Sequence, residues 1–179
     1  MFIKSMSMKN FRCHKDTTVD FFKTSEKGNI SIIEGSDGDG KTTIFNAIGW
    51  CLYGRETSEL LEEPKQSLGI LNVSSLNSER LTTISVEIWL EFEESSKSVD
   101  IPTSARVLRK AKVREMAIVE EEFLLELYTQ SGNPKVLYDR EAKNYIENIA
   151  PILNCLFMEL LTLSPLVFLE FFRYSPLNI

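Results

Sequence analysis

Gly35-Ser36-Asp37-Gly38-Asp39-Gly40-Lys41-Thr42-Thr43 matches the spacing G-x-x-x-x-G-K-[ST]. Such a spacing builds a phosphate-binding loop. Glycines let the backbone curl so that successive N–H groups point inward at anionic oxygens, where a side chain would block the approach. Lys41 then brings a point charge to the β and γ phosphates of a nucleotide, and the Thr42 hydroxyl ligates Mg²⁺. The loop also opens a helix, whose amino end favours anions. The expected ligand is a nucleoside triphosphate with Mg²⁺, held by Gly35, Ser36, Asp37, Gly38, Asp39, Gly40, Lys41, Thr42 and Thr43.

The flanks supply the context that a chance glycine-rich turn would lack. Asn29 to Glu34 reads as a short strand rich in β-branched residues. Ile44, Ile48, Cys51 and Leu52, with Phe45 and Trp50 alongside, recur as the apolar stripe of a helix, and Gly54 is placed to stop it. Asp37 and Asp39 work against the ligand. At an effective dielectric of about 20, two like charges about 8 Å apart repel by roughly 2 kcal/mol before salt screening. Reduced affinity, or a degenerate loop that binds nothing, is therefore the alternative to a working one.

The chain has 179 residues, 43% of them hydrophobic, with 20 basic and 26 acidic side chains and a net charge of −6. This length suits one globular domain, and the acidic balance argues against nucleic-acid coating by the whole surface while leaving room for a local basic patch. Cys13, Cys51 and Cys155 have no paired or metal-like spacing, which fits a reducing, cytoplasmic setting. Lys4 and Lys9 interrupt the opening residues, so a secretory signal is not expected.

Phe2 to Met8 alternates apolar and polar residues as a half-buried strand does, and Thr17 to Phe22 is a second strand candidate. Beyond a polar connection from Arg55 to about Gln66, Ile84 to Phe92 alternates strictly, Arg106 to Arg114 alternates again, and Phe123 to Thr129 is another extended stretch. Turn residues fall at Ser95–Ser98 and at Ser131-Gly132-Asn133-Pro134. Strands at about 84–129 with no helix between them predict an antiparallel meander. Asp139 is placed to cap a helix with apolar positions Ala142, Tyr145, Ile146 and Ile149. A small P-loop kinase or GTPase would keep alternating strand and helix after its phosphate loop, so the meander counts against those readings.

Ile3-Lys4-Ser5-Met6-Ser7-Met8-Lys9-Asn10-Phe11-Arg12-Cys13-His14, then the loop, then Ala47-Ile48-Gly49-Trp50-Cys51-Leu52-Tyr53-Gly54 carry a more specific likeness. Together they resemble the amino-terminal ATPase lobe of SMC-like proteins, a group that includes repair ATPases such as SbcC, RecF and the phosphorothioation-linked defence ATPase DndD. The resemblance implies an α/β P-loop fold: the amino-terminal lobe of an ABC-type head, with an antiparallel β subdomain. It implies that residues 1–150 form this lobe and that the apolar tail, residues 151–179, leads to a coiled coil and a second half. Two such heads would sandwich two ATP molecules, Arg12 would reach the phosphates, and Lys41 would be the catalytic lysine. Implied partners are a second head or the carboxy-terminal half, DNA, and a nuclease or defence-complex subunit; no membrane is implied. The work implied is DNA repair or anti-phage defence.

Asp37 stands where the family carries Asn, and Asp39 where it carries Ser or Ala. No Q-loop glutamine, LSGGQ-like signature or acidic strand can be placed; Ala117-Ile118-Val119-Glu120-Glu121 mimics the last but lacks its aspartate. Hydrolysis needs a positioned water and charge stabilisation from an opposing head, so this chain alone is expected to bind ATP weakly and hydrolyse almost none. A truncated lobe acting as a non-catalytic interaction module is the alternative. Arg106, Lys110, Lys112 and Arg114 share one strand face that can meet a phosphate backbone or simply face solvent. His14, the lone histidine, reads as structural. The apolar run Ile152–Phe172, broken by Glu159, Pro165 and Glu170, is expected to pack on a missing half rather than cross a membrane.

Overall fold

Strict alternation from Thr82 to Glu91 puts Ile84, Val86, Ile88 and Leu90 on one side of a strand, each at most 1% exposed. In the computed structural model, residues 1–21, 30–54, 71–72, 81–92, 101–114, 117–130, 132–150 and 167–170 are described. The strands are β1 (Phe2–Phe11), β2 (His14–Asp20), β3 (Ile30–Ile33), β4 (Thr82–Glu91), β5 (Ser104–Arg114), β6 (Ala117–Tyr128), β7 (Lys135–Tyr138) and β8 (Val167–Glu170). The helices are α1 (Lys41–Tyr53) and α2 (Asp139–Ile149). Six strands form one sheet in the order β2-β1-β4-β5-β6-β7, antiparallel throughout, and β3 pairs antiparallel with β8 in a separate ribbon.

The expected meander is present as β4-β5-β6, with three differences. The third strand starts at Ala117 rather than Phe123, so the segment that mimics an acidic strand is sheet paired to β5. β7 extends the meander by one short strand. Asp139 does not cap α2: Tyr138 holds the cap position, while Asp139 opens the helix at φ 41. The connection at 55–66 and the turn at Ser95–Ser98 lie outside the described residues, as does most of the tail; its segment Val167–Glu170 supplies β8.

α1 crosses the inner face of the sheet, touching β4, β5 and α2. Its residues 43–53 are all buried, and a helix apolar nearly all round requires such cover. Phe11 packs its ring 5.5 Å from that of Trp50. Gly54 adopts φ 74, as a helix stop requires, and its amide donates to the Trp50 carbonyl at 2.9 Å. α2 buries Ala142 and Ile146, and the Tyr53 hydroxyl donates to the Ala150 carbonyl at 2.8 Å. No helix among the described residues is long and apolar enough to cross a membrane.

The outer face carries the basic residues of β5, already matched by carboxylates from its neighbours. Arg106 bonds Glu87 at 2.7 Å and Glu126 at 3.1 Å, Lys112 meets Glu120 at 2.7 Å, and Lys110 meets Glu122 at 3.6 Å. Trp89 stacks on Tyr128 with ring centroids 5.5 Å apart, and its indole N–H donates to Glu87. Three of the four bases expected to face a phosphate backbone therefore sit in a neutralised ladder, which weakens that reading. Burial alone would raise the Glu87 carboxyl, but the hydrogen bonds from Arg106 and Trp89 outweigh it and hold it below the ordinary value of 4.5. A carboxyl lowered on folding contributes stability above its unfolded value and loses it as pH falls through the folded one. Thermal unfolding between about pH 5 and about pH 3 should show a falling midpoint, less steep in Glu87→Gln. Equal slopes in the two proteins would remove Glu87 from the account.

Candidate nucleotide-binding site

β3 ends at Ile33 and α1 begins at Lys41, so the segment between them is a short loop from a strand into a helix amino end. The Asp39 amide donates to the Ser36 carbonyl at 3.2 Å and closes a turn. Gly38 and Gly40 adopt φ 91 and φ 90, a region that L side chains rarely enter. The first helical bond runs from the Ile44 amide to the Gly40 carbonyl at 3.1 Å. Lys41 folds back across the loop and donates to the carbonyls of Gly35 and Ser36, each at 2.8 Å. The Asp39 carboxylate accepts the Ser36 amide at 2.6 Å. Thr42 is exposed on the first turn of α1, and Thr43 is buried.

A second segment meets the loop. β1 and β2 are joined by the two-residue turn Arg12–Cys13, with Arg12 at φ 47. The Cys13 sulfur and the His14 Nε2 lie 2.6 and 2.8 Å from the position a β-carbon would take at Gly40, so only glycine fits there. His14 Nε2 is 3.4 Å from the Gly40 carbonyl, which can only accept, and Nδ1 is 3.2 Å from the Thr17 hydroxyl. The histidine, read from sequence as structural, thus braces the phosphate loop. The structure brings Gly35 through Thr43 together with the turn that carries Arg12, at one end of α1.

The other end of α1 holds Arg109, which the sequence shows as one base of the run from Arg106 to Arg114 and to which it assigns no role. Arg109 points inward, opposite to the ladder bases, and is 6% exposed. Its Nε donates to the Cys51 carbonyl at 3.0 Å, a terminal amine pairs with Glu121, and the guanidinium lies 4.0 Å over the Phe123 ring. Its parity was the available signal: in a strand whose other bases occupy even positions, 109 falls on the buried side. Burial pushes the Cys51 thiol up to about 12, which leaves it an inert core group.

The residues fit a magnesium nucleotide. Two left-handed glycines curve the main chain, one ammonium lies across the loop, and Thr42 is exposed on the next position of the chain. No group of three His, Cys, Asp or Glu among the described residues makes a separate metal cage. Mg²⁺ is commonly held through one protein oxygen, water and the phosphates themselves.

An AAA domain family model matches residues 5–156. The DNA replication and repair protein RecF of Acetivibrio thermocellus is 29% identical over 118 residues, which cover 66% of this chain and 28% of that protein. The DNA double-strand break repair Rad50 ATPase of Methanococcus maripaludis is 43% identical over 53 residues, covering 30% of this chain and 5% of that one. The chain thus spans about a quarter of the RecF protein and far less of the Rad50 ATPase. A solved structure described as "Structural biochemistry of ATP-driven dimerization and DNA stimulated activation of SMC ATPases" superposes with a TM-score of 0.55 at 19% identity, covering 92% of this chain and 93% of that one. That likeness is one of fold.

Proposed function

The chain belongs to the AAA domain family, as the amino-terminal lobe of an SMC-like, RecF-type ABC ATPase head, and from that premise we propose that it is the ATP-binding half of a DNA-repair ATPase. Residues 1–150 are taken as the lobe, to which Val167–Glu170 adds the strand beside β3. The observation that carries this reading is the bend at Gly38–Gly40 with Lys41 laid across it. Lys41 exchanges the Gly35 and Ser36 carbonyls for β- and γ-phosphate oxygens. Main-chain amides at the start of α1 donate to the same anion, with the helix dipole behind them. Arg12 adds a second positive charge from the β1–β2 turn. The Thr42 hydroxyl would hold Mg²⁺, which would supply charge neutralisation to the phosphates. A second head, or the carboxy-terminal half, supplies the groups that position water, and head closure is thereby coupled to work on DNA. The relatives named for repair support that pathway over anti-phage defence.

Calorimetry with Mg·ATP, on this chain alone and mixed with its carboxy-terminal half, tests the reading. The expected result is weak binding alone, tighter binding in the mixture, and hydrolysis only in the mixture. One observation favours the rival reading of a non-catalytic interaction module, namely the Asp39 carboxylate seated on the Ser36 amide. No heat in either arm would make the rival the better account.

A further inference from the structure

The loop grips its own Gly35–Ser36 peptide from both sides: Asp39 accepts the Ser36 N–H at 2.6 Å and Lys41 donates to the Gly35 C=O at 2.8 Å. Asp39 stands between two glycines held at φ 91 and φ 90, so its side chain is aimed by the backbone on both sides. Its Oδ2 lies 3.0 Å from where a β-carbon would stand on Gly35, and the missing side chain at Gly35 is what makes room for the carboxylate. We propose that Asp39 is an internal anion that competes with the nucleotide's phosphates for the curled loop, and so sets the affinity and the entry rate of the site.

This inference rests on the nucleotide reading above. A carboxylate that accepts a loop amide lends its negative charge to the concavity that an incoming polyphosphate must enter. The polyphosphate also has to draw Lys41 away from the same peptide. Both displacements precede productive contact, so they slow association as well as weaken binding. Asp37 carries the same charge on the same loop and is likewise exposed, but no comparable bond ties it to a loop amide among the described contacts. Position, rather than net charge, therefore distinguishes the two aspartates.

The test compares Mg·ATP binding by the full chain and by Asp39→Ser, Asp39→Asn and Asp37→Asn, using calorimetry and stopped-flow association at low and high salt. Asp39→Ser and Asp39→Asn should bind about tenfold tighter, mostly through faster association, a gain of about one decade in Kd. Asp37→Asn should gain distinctly less. The advantage of the Asp39 variants should shrink as salt screens the charge, a response that a purely structural hydrogen bond would not give. Unchanged or weaker binding in the Asp39 variants, or equal gains at both positions, would overturn the inference while leaving the nucleotide site intact. Absence of binding in every protein, wild type included, would overturn the nucleotide reading itself and this inference with it.

Discussion

Lys41→Ala should lose Mg·ATP binding by at least about a hundredfold, while its unfolding midpoint stays close to wild type. The two halves of that expectation have different causes. Among the described residues the ammonium donates to the carbonyls of Gly35 and Ser36, on an exposed loop where water can replace it. Removing such a group changes stability by no more than about 0.5 kcal/mol. Against a polyphosphate the same ammonium makes charge-assisted bonds worth about 1.5–3 kcal/mol each, and two of them account for a hundredfold or more. Calorimetry at matched salt reads the affinity, and a thermal melt confirms the fold. Wild-type affinity in the variant would mean that the ligand, if any, sits elsewhere.

How much of this was readable beforehand differs by element, for physical reasons. β4 was legible because it lies mid-sheet with one wet face, so its sequence alternates without a break. α1 and its Gly54 stop were legible because the loop motif fixes the start and the left-handed residue fixes the end. The first half of β6 was not. Its run of exposed residues from Ala117 to Glu122 shows no alternation of burial, and its three consecutive glutamates take their charge partners, Lys112, Arg109 and Lys110, from β5, to which the backbone is also paired. Those partners lie on another strand, out of reach of any local pattern. The same distance hid the neutralised ladder: the β5 bases stood out in sequence, while their carboxylates come from both neighbouring strands. β1 misleads more mildly. A register shift between Ile3 and Ser5 buries Phe2 and Ile3 in succession before alternation resumes. At the site, the order of strand, glycine bend and helix was legible, whereas the bracing of Gly40 by Cys13 and His14 depends on a hairpin turn meeting the loop in space.

Arg109→Met should destabilise the chain by about 3 kcal/mol, the largest stability effect expected of any charged residue described here. Nothing in Arg109's position along β5 requires a charge, and the effect comes from what the guanidinium joins. It ties the Cys51 carbonyl near the carboxy end of α1 to Glu121 on β6, across 58 positions of sequence in the first bond alone. A cation there also faces the negative end of the α1 dipole. Breaking a fully buried ion pair costs about 3–5 kcal/mol, but Glu121 is 39% exposed and regains water, which trims that figure. Lost contact with the Phe123 ring adds about 0.5–2 kcal/mol. Methionine keeps the apolar stem and tests the head group alone. Lysine should restore only part of the loss, because it lacks the planar fork that reaches carbonyl and carboxylate together. Denaturant unfolding of wild type, Arg109→Met, Arg109→Lys, Glu121→Gln and the double variant gives the coupling directly. A loss under about 0.5 kcal/mol in Arg109→Met would show the contacts to be incidental. A full loss would identify Arg109 as what holds the far end of the helix whose near end forms the phosphate loop. The meander and the nucleotide site would then share one rigid element, and loosening the clamp should lower ATP affinity without touching a single residue of the loop.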